Sequence, residues 1–217
     1  MPTVVALPAL AADRISFGYF GRPDRLTQRV IVAWSRILAA IDGARLVLNS
    51  QAFGEGAFCD LIAARFAAQD IARDRLAMLF TTPQQRTWEA YGTIDIALDP
   101  FPHNAGTTTI EALWQGVPVI SRADRATVGR FGASILGAVG LPELVAPDDD
   151  SYVATAVRLA SDRPALTALR AGLRGRVERS PLRDANGLAR EVEAAYRTLW
   201  QQWCEWAALH PRNTDHH

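Results

Sequence analysis

The sequence predicts an α/β fold, a Rossmann-like parallel sheet with helices on both faces. Three observations predict it. Short apolar runs of strand length alternate with longer segments of helical period from residue 15 to residue 139. The short runs are apolar throughout, as strands buried between two helical layers must be. Pro23 and Gly43 stand at junctions, where a helix opens and where one stops. With 217 residues, 49% hydrophobic and 21% charged, the chain can build one large domain around a real core.

The elements follow in order. "ISFGYF" (15–20) is the first strand, and "GRPDRL" breaks it, with Pro23 placed to open a helix. Leu26, Val30, Trp34, Ile37, Leu38 and Ile41 then recur at helical spacing. "ARLVLNS" (44–50) is a strand, "GAFCDLIAARFAAQDI" (56–71) a helix, and "LAMLFT" (76–81) a strand. "PQQRTWEAY" (83–91) is a short helix, "IDIALD" (94–99) a fourth strand, 107–115 a helix, and "VPVI" (117–120) a fifth strand. A helix is expected over 127–139. Beyond Leu141 the strand signal fades to "ELVAP", and helices are expected near 149–160, 163–177 and 185–208. The resulting division is an N-terminal extension (1–14), the Rossmann-like lobe (15–183), a C-terminal helix (184–208) and a frayed tail (209–217).

The charges sum to zero, which gives no reason to expect a nucleic-acid partner, so an anion site must be local. All 23 basic residues are arginine, which looks like a compositional bias and not a selected RNA-binding surface. Cys59 and Cys204 give neither a metal spacing nor a disulfide framework. Pro8 breaks the apolar N-terminus, which lacks a basic start, so no signal peptide is read. No apolar run approaches the ~20 residues of a membrane helix. The expectation is a soluble cytoplasmic protein without a membrane partner.

One corner concentrates chemistry. "IDIALDP" ends a strand at Asp99, "FPHNAG" crosses over, and a helix begins in "TTTIEALW". In such sheets ligands bind where strands end and helices begin. Free N–H groups and the dipole at a helix start favour anions. Gly106 allows close approach, and Thr107, Thr108 and Thr109 add hydroxyl donors. Glu111, a turn further in, is placed to accept two ribose hydroxyls. The constellation reads as a diphosphate and a sugar, held without a metal. The alternative reading is plainer: a threonine cap followed by a glutamate that complements the helix dipole.

"DIALDPFPHNAGTTTIEALWQGVPVI" looks like the sugar-nucleotide corner of the bacterial relatives of protein O-GlcNAc transferase, the SPINDLY-type enzymes of glycosyltransferase family 41. "FGYFGRPDRL", "GRFGASILGAVGLPELVA" and "RVERSPLRDANGLAREVEAAYRTLWQQW" resemble three further stretches of that family, and the likeness covers most of 15–206. The resemblance implies one lobe, the C-terminal one, of a two-lobed GT-B glycosyltransferase. It implies UDP-GlcNAc as the donor, with no cofactor. It places Gly106 to Thr108 on the diphosphate and Glu111 on the ribose. Arg25 falls where the family has a phosphate-binding lysine, and Arg22 lies in the same loop near the diphosphate. His103 lies in the crossover and is kept as a candidate contact, its plainer reading being an exposed loop histidine. Arg130 matches a family arginine that serves as an ion-pair residue or as a ligand. Two positions depart: Thr87 stands where relatives have a histidine, and Gly21 where they have asparagine.

The implied function is transfer of GlcNAc to Ser or Thr of a protein acceptor, once a first lobe completes the site. No catalytic residue is identified in this lobe. The rival reading is a non-catalytic nucleotide-sugar-binding or interaction module. The last helix carries Leu188, Val192, Tyr196, Leu199, Trp200, Trp203 and Trp206. At about 100° per residue the tryptophans form a drifting stripe. Either it packs on its own sheet, or it stays exposed and binds a separate first lobe or another copy.

Overall fold

The computed structural model describes residues 3–81 and 84–210. Its strands are β1 (Ser16–Phe20), β2 (Arg45–Asn49), β3 (Leu76–Leu79), β4 (Ile96–Leu98), β5 (Val119–Arg122) and β6 (Val145–Ala146). Its helices are α1 (Ala9–Ala12), α2 (Gln28–Ala40), α3 (Gly56–Ala67), α4 (Gln84–Ala90), α5 (Thr107–Trp114), α6 (Phe131–Ala138), α7 (Asp149–Ser161), α8 (Arg163–Glu178) and α9 (Ala185–Leu209). The strands form a parallel sheet in the order β3-β2-β1-β4-β5-β6. All five residues of β1 are buried, as its central place between two helical layers requires. The α/β Rossmann-like reading is therefore correct. The chain winds outward from β1 to β3, returns across the sheet, and continues from β4 to β6. The order reverses between β1 and β4, which opens a crevice at their carboxyl ends.

Two helices start later than their sequence pattern suggests, each for a local reason. Pro23–Arg25 makes only one 3₁₀ turn, and Thr27 then takes extended backbone with its hydroxyl accepting the Val30 N–H at 3.3 Å. That fresh cap restarts the helix at Gln28. Likewise Thr127–Gly129 is a 3₁₀ turn, and α6 begins only at Phe131.

The segment before Ile15 is built into the lobe. Leu7 and Ala9 are buried, and both Asp95 carboxylate oxygens accept backbone N–H groups, from Ala9 at 2.9 Å and Ser16 at 2.8 Å. Arg170 of α8, itself buried, donates to the carbonyls of Val5 and Ile94. Burial raises the Asp95 pKa and lowers that of Arg170. These buried polar groups fasten strand β4 and the N-terminal segment to α8.

The α2 face of Val30, Ile31, Trp34, Ile37 and Leu38 is wholly buried. Trp34 Nε1 donates to the Tyr152 hydroxyl at 3.0 Å, and that hydroxyl donates to the Asp99 carbonyl at 3.0 Å. A continuous chain thus runs from α2 through α7 to the end of β4. It fixes the strand end from which the crossover departs.

The C-terminal helix contributes nothing to this core. None of the residues of α9 is buried, so it does not pack its aromatic stripe on its own sheet. Residues 211–217, most of the tail expected to fray, lie outside the described residues.

Candidate nucleotide site

The crossover from Asp99 to Gly106 is held by buried polar side chains. Asp99 Oδ1 accepts the Ala105 N–H at 2.6 Å, and Oδ2 accepts the Ser121 hydroxyl at 2.6 Å. Asn104 is fully buried. Its amide donates to the carbonyls of Pro100 and Arg122, and its oxygen accepts the Gly132 N–H at 3.4 Å. The Phe101–Pro102 peptide is cis. Phe101 is buried edge-on to Tyr152, with the guanidinium carbons of Arg29 and Arg122 at 5.8 and 5.2 Å from its ring centre. Both arginines also pair with Asp149.

This scaffold presents the first turn of α5 to the crevice. Gly106 occupies the N-cap position, and no side chain caps the helix. The threonine-cap reading is thereby overturned: Thr107 to Thr109 lie within the helix, not before it. A capping residue needs extended backbone, and all three threonines are helical. The uncapped first turn leaves N–H groups without intrahelical partners, which is the condition for anion binding.

The structure separates the candidate residues. Thr107 is exposed, and Thr108 is half-buried in the cleft wall, its carbonyl accepting the Tyr91 hydroxyl at 3.2 Å. Thr109 is turned inward and buried, lining a small recess beneath the cleft. Its hydroxyl has no partner among the described residues. Glu111, one helical turn after Thr107, also faces the open cleft. Arg25 reaches across from the β1 loop, its Nη1 donating to the Asn104 carbonyl at 3.0 Å. Arg22 lines the same cleft but pairs with Asp24 at 2.7 Å, both side chains well exposed. His103 is exposed on the crossover, in keeping with its plainer reading. Arg130, also exposed, lines a separate hollow with Thr127 and Phe131.

The cleft encloses about 850 Å³ including its open mouth. Of its far wall, built by Asn49, Thr81 and Thr87, the sequence singled out only Thr87. Asn49 at the end of β2 donates to the Thr81 hydroxyl at 2.7 Å, and Thr87 donates to the Thr81 carbonyl at 3.1 Å. Thr87 thus ties its helix to the end of β3. Gly21 has a local reason: a Cβ there would lie 2.7 Å from the Tyr19 hydroxyl, which donates to the Arg22 carbonyl. Asp99, Asn104, Asn49 and Tyr91 were also missed. For Asp99 and Asn49 the available signal was a polar side chain at the end of an apolar strand; Asn104 and Tyr91 gave none.

Electrostatics concentrate on Asp99. Burial pushes its carboxyl up to about 7, against the Ser121 hydroxyl, the Ala105 N–H and the charge of Arg25, which all favour ionisation. Burial likewise raises Tyr19 and Tyr91. The run Asp148–Asp150 has the spacing of a metal-binding acid pair, yet each carboxylate is engaged. Asp148 caps α7, Asp149 pairs with Arg29 and Arg122, and Asp150 pairs with Arg36.

Gly132 is where α6 meets this network. A Cβ there would lie 2.6 Å from Asp99 Oδ2 and would clash with the Ser121 hydroxyl. Gly132→Ala is expected to lose about 1–2 kcal/mol of stability in urea unfolding, because neither group can move without breaking its bond. Unchanged stability would show that the Asp99–Ser121 pair is not tightly enclosed.

Fold and crevice together define the class: a Rossmann-like lobe of the GT-B glycosyltransferases. The sequence-family model "Glycosyl transferase family 41" matches residues 5–192, and the chain belongs to that family. It is 35% identical over 209 residues to "Probable UDP-N-acetylglucosamine--peptide N-acetylglucosaminyltransferase SPINDLY" of Hordeum vulgare, a match covering 93% of this chain and 22% of that protein. A solved O-GlcNAc transferase mutant of Thermobaculum terrenum superimposes with a TM-score of 0.83 at 32% identity. That match covers 89% of this chain and 37% of the other. Anabaena Alr3699/HepE, solved with UDP and glucose, shares the fold at a TM-score of 0.58 and 15% identity. The chain therefore spans about a fifth of the length of the curated relative it matches. Among the described residues, no helix is long and apolar enough to cross a membrane.

Proposed function

We propose that this chain is the C-terminal, UDP-sugar-binding lobe of a protein O-linked N-acetylglucosaminyltransferase, with UDP-GlcNAc as donor and Ser or Thr of a protein as acceptor. A first lobe, in the same chain or another, completes the site. One observation carries the reading: Arg22, Thr108 and Glu111 line one cleft at the reversal of strand order, beside the uncapped start of α5 and the crossover that Arg25 bonds. As the glycosidic bond to the diphosphate breaks, negative charge builds on the leaving group. The N–H groups of α5, the hydroxyls of Thr107 and Thr108, and Arg25 would stabilise that charge where it develops. Glu111 would hold the ribose, with Arg22 at the rim. Gly106 leaves the helix start open, since no atom lies within 4 Å of a Cβ built there. Thr109 faces the recess beneath the cleft and His103 is exposed on the crossover, so neither is assigned a contact in this reading. No protein group in this lobe is assigned as general base, and no step is assigned to a metal or cofactor.

A non-catalytic nucleotide-sugar-binding module is the second reading. It is favoured by Thr87, whose hydroxyl is engaged with Thr81 at the place where relatives carry histidine. Both readings require nucleotide binding. Calorimetric titration should show UDP binding at least about tenfold more tightly than uridine, because phosphates meet the helix start and Arg25. Equal affinities would sink the assignment of the α5 start. Transfer of sugar to a peptide after adding a separately expressed first lobe would then select the enzymatic reading.

A further inference from the structure

The cleft has a second end, away from the groups that meet the diphosphate and the ribose. Thr108 and Glu111 belong to the helix that follows β4. Asn49 closes β2, Ser50 and Gln51 follow it, and Phe80 and Thr81 follow β3. The strands run in the order β3-β2-β1-β4, and neighbouring strands lie about 4.8 Å apart. Three spacings put the end of β3 about 14 Å from the end of β4. A nucleoside diphosphate is an elongated ligand with its charge at one end and its base at the other. Laid along the cleft from the start of α5, it brings the base to Phe80.

Phe80 suits a flat apolar ligand. Phenylalanine is among the side chains most often fully buried, yet Phe80 is 48% exposed. Among the described residues Phe131 is the other exposed phenylalanine, and it lines the separate hollow beside Arg130. The Phe80 ring rests against the turn Gln51–Gly54, where a Cβ on Gly54 would lie 3.0 Å from its Cδ1. Glycine lets the turn come up to the ring and hold it, while the rest of the ring stays in the cleft wall.

The wall around the ring is closed by its own hydrogen bonds. Asn49 donates to the Thr81 hydroxyl and accepts the Thr81 N–H at 3.3 Å, and Thr87 donates to the Thr81 carbonyl. These bonds tie the ends of β2 and β3 to α4 and use up the groups that make them. Thr87 has no ring to offer, so the aromatic surface at this end is that of Phe80. Two polar groups remain unspent. Ser50 stands before the turn without its hydroxyl capping it, and Gln51 is exposed in the wall. A ring beside a hydroxyl and an amide matches a nucleobase, which has a π-face and a polar edge. We propose that Phe80 stacks on the base of the bound nucleotide, with the Gln51 amide against the edge of that base. The inference rests on the nucleotide reading above and adds to it the residues that receive the base.

The test is calorimetric titration of the full 217-residue chain with UDP, uridine and inorganic pyrophosphate. Pyrophosphate has the diphosphate without the base, and uridine the base without the phosphates. Phe80→Ala should weaken UDP and uridine alike, by roughly 5- to 100-fold, the range of base–aromatic stacking. Pyrophosphate binding should not change, which also shows that the variant is folded. Phe80→Tyr keeps the ring and should bind UDP as the parent does. Gln51→Ala should weaken UDP and uridine by a smaller factor and spare pyrophosphate. A parent that binds UDP and a Phe80→Ala variant that binds it equally well overturn this inference alone. So does a Phe80→Ala variant that loses pyrophosphate in the same proportion as UDP, since the ring would then only prop the wall. A parent chain that binds neither UDP nor pyrophosphate overturns the nucleotide reading and this inference with it.

Discussion

Between about pH 8 and about pH 5, the stability gap between Asp99→Asn and the parent chain is expected to close by about 3 kcal/mol. The reason is the burial of a carboxyl that the charge of Arg25 favours only through space, without an ion pair. In the unfolded chain this group titrates near 3.9. In the folded chain burial carries it up to about 7. The folded state therefore holds the proton more tightly. The contribution of this group to stability is full below about pH 4 and is lost as pH rises through about 7. Asparagine keeps the shape and the acceptor for the Ala105 N–H but never ionises. It should therefore be the more stable variant at pH 8 and lose its advantage on acidification. Asp124 and Asp148 run the other way, since hydrogen bonds hold their carboxyls below the usual range. They are present in both proteins and cancel in the difference. Urea unfolding across the range measures it. A gap that does not change with pH would mean that Asp99 titrates normally and is better hydrated than its burial implies.

The second large effect concerns Arg25. Arg25→Ala is expected to weaken UDP binding by about 1.5–3 kcal/mol, roughly 10- to 150-fold, as loss of a charge-assisted contact does. Uridine binding should hardly change, because the cation meets phosphate and not base. Arg25→Lys should recover most of the loss, since a point charge also binds phosphate, though without the two-pronged geometry. The Arg25 bond to the Asn104 carbonyl adds a structural component. The uridine titration separates it: damage to the crossover would weaken both ligands together. An alanine variant with unchanged UDP affinity would show Arg25 to be a structural clasp on the crossover alone.

Much of this was legible in the sequence because it is local. The alternation of strand and helix follows from side-chain period, which each segment carries in itself. The start of a helix after a glycine-containing crossover is likewise written in a few consecutive residues. Hence the Rossmann-like lobe, the corner at Asp99–Glu111 and the family membership could be read before any coordinates. The role of Gly106 as the open N-cap could not. Three threonines in a row suggest a cap, and only the backbone shows that all three are already helical.

What remained hidden depends on contacts between distant parts of the chain. Arg25 reaches a carbonyl 79 residues away, and the Asp99 carboxylate meets a hydroxyl 22 residues on. Thr107, Thr108 and Thr109 are chemically identical, yet one is exposed, one lines the cleft and one is buried, because successive helix positions turn about 100° relative to a fixed core. Asn104 could not be told from any loop asparagine until the fold closed five partners around it. The stripe on α9 was visible as a pattern, but a pattern does not say whether a sheet lies beneath it. The sequence by itself determined which segments form strands and helices and which corner to propose as an anion site. The tertiary structure alone decided which polar groups are enclosed and which apolar face is left bare, since burial is a property of the whole packed chain and period is a property of each segment.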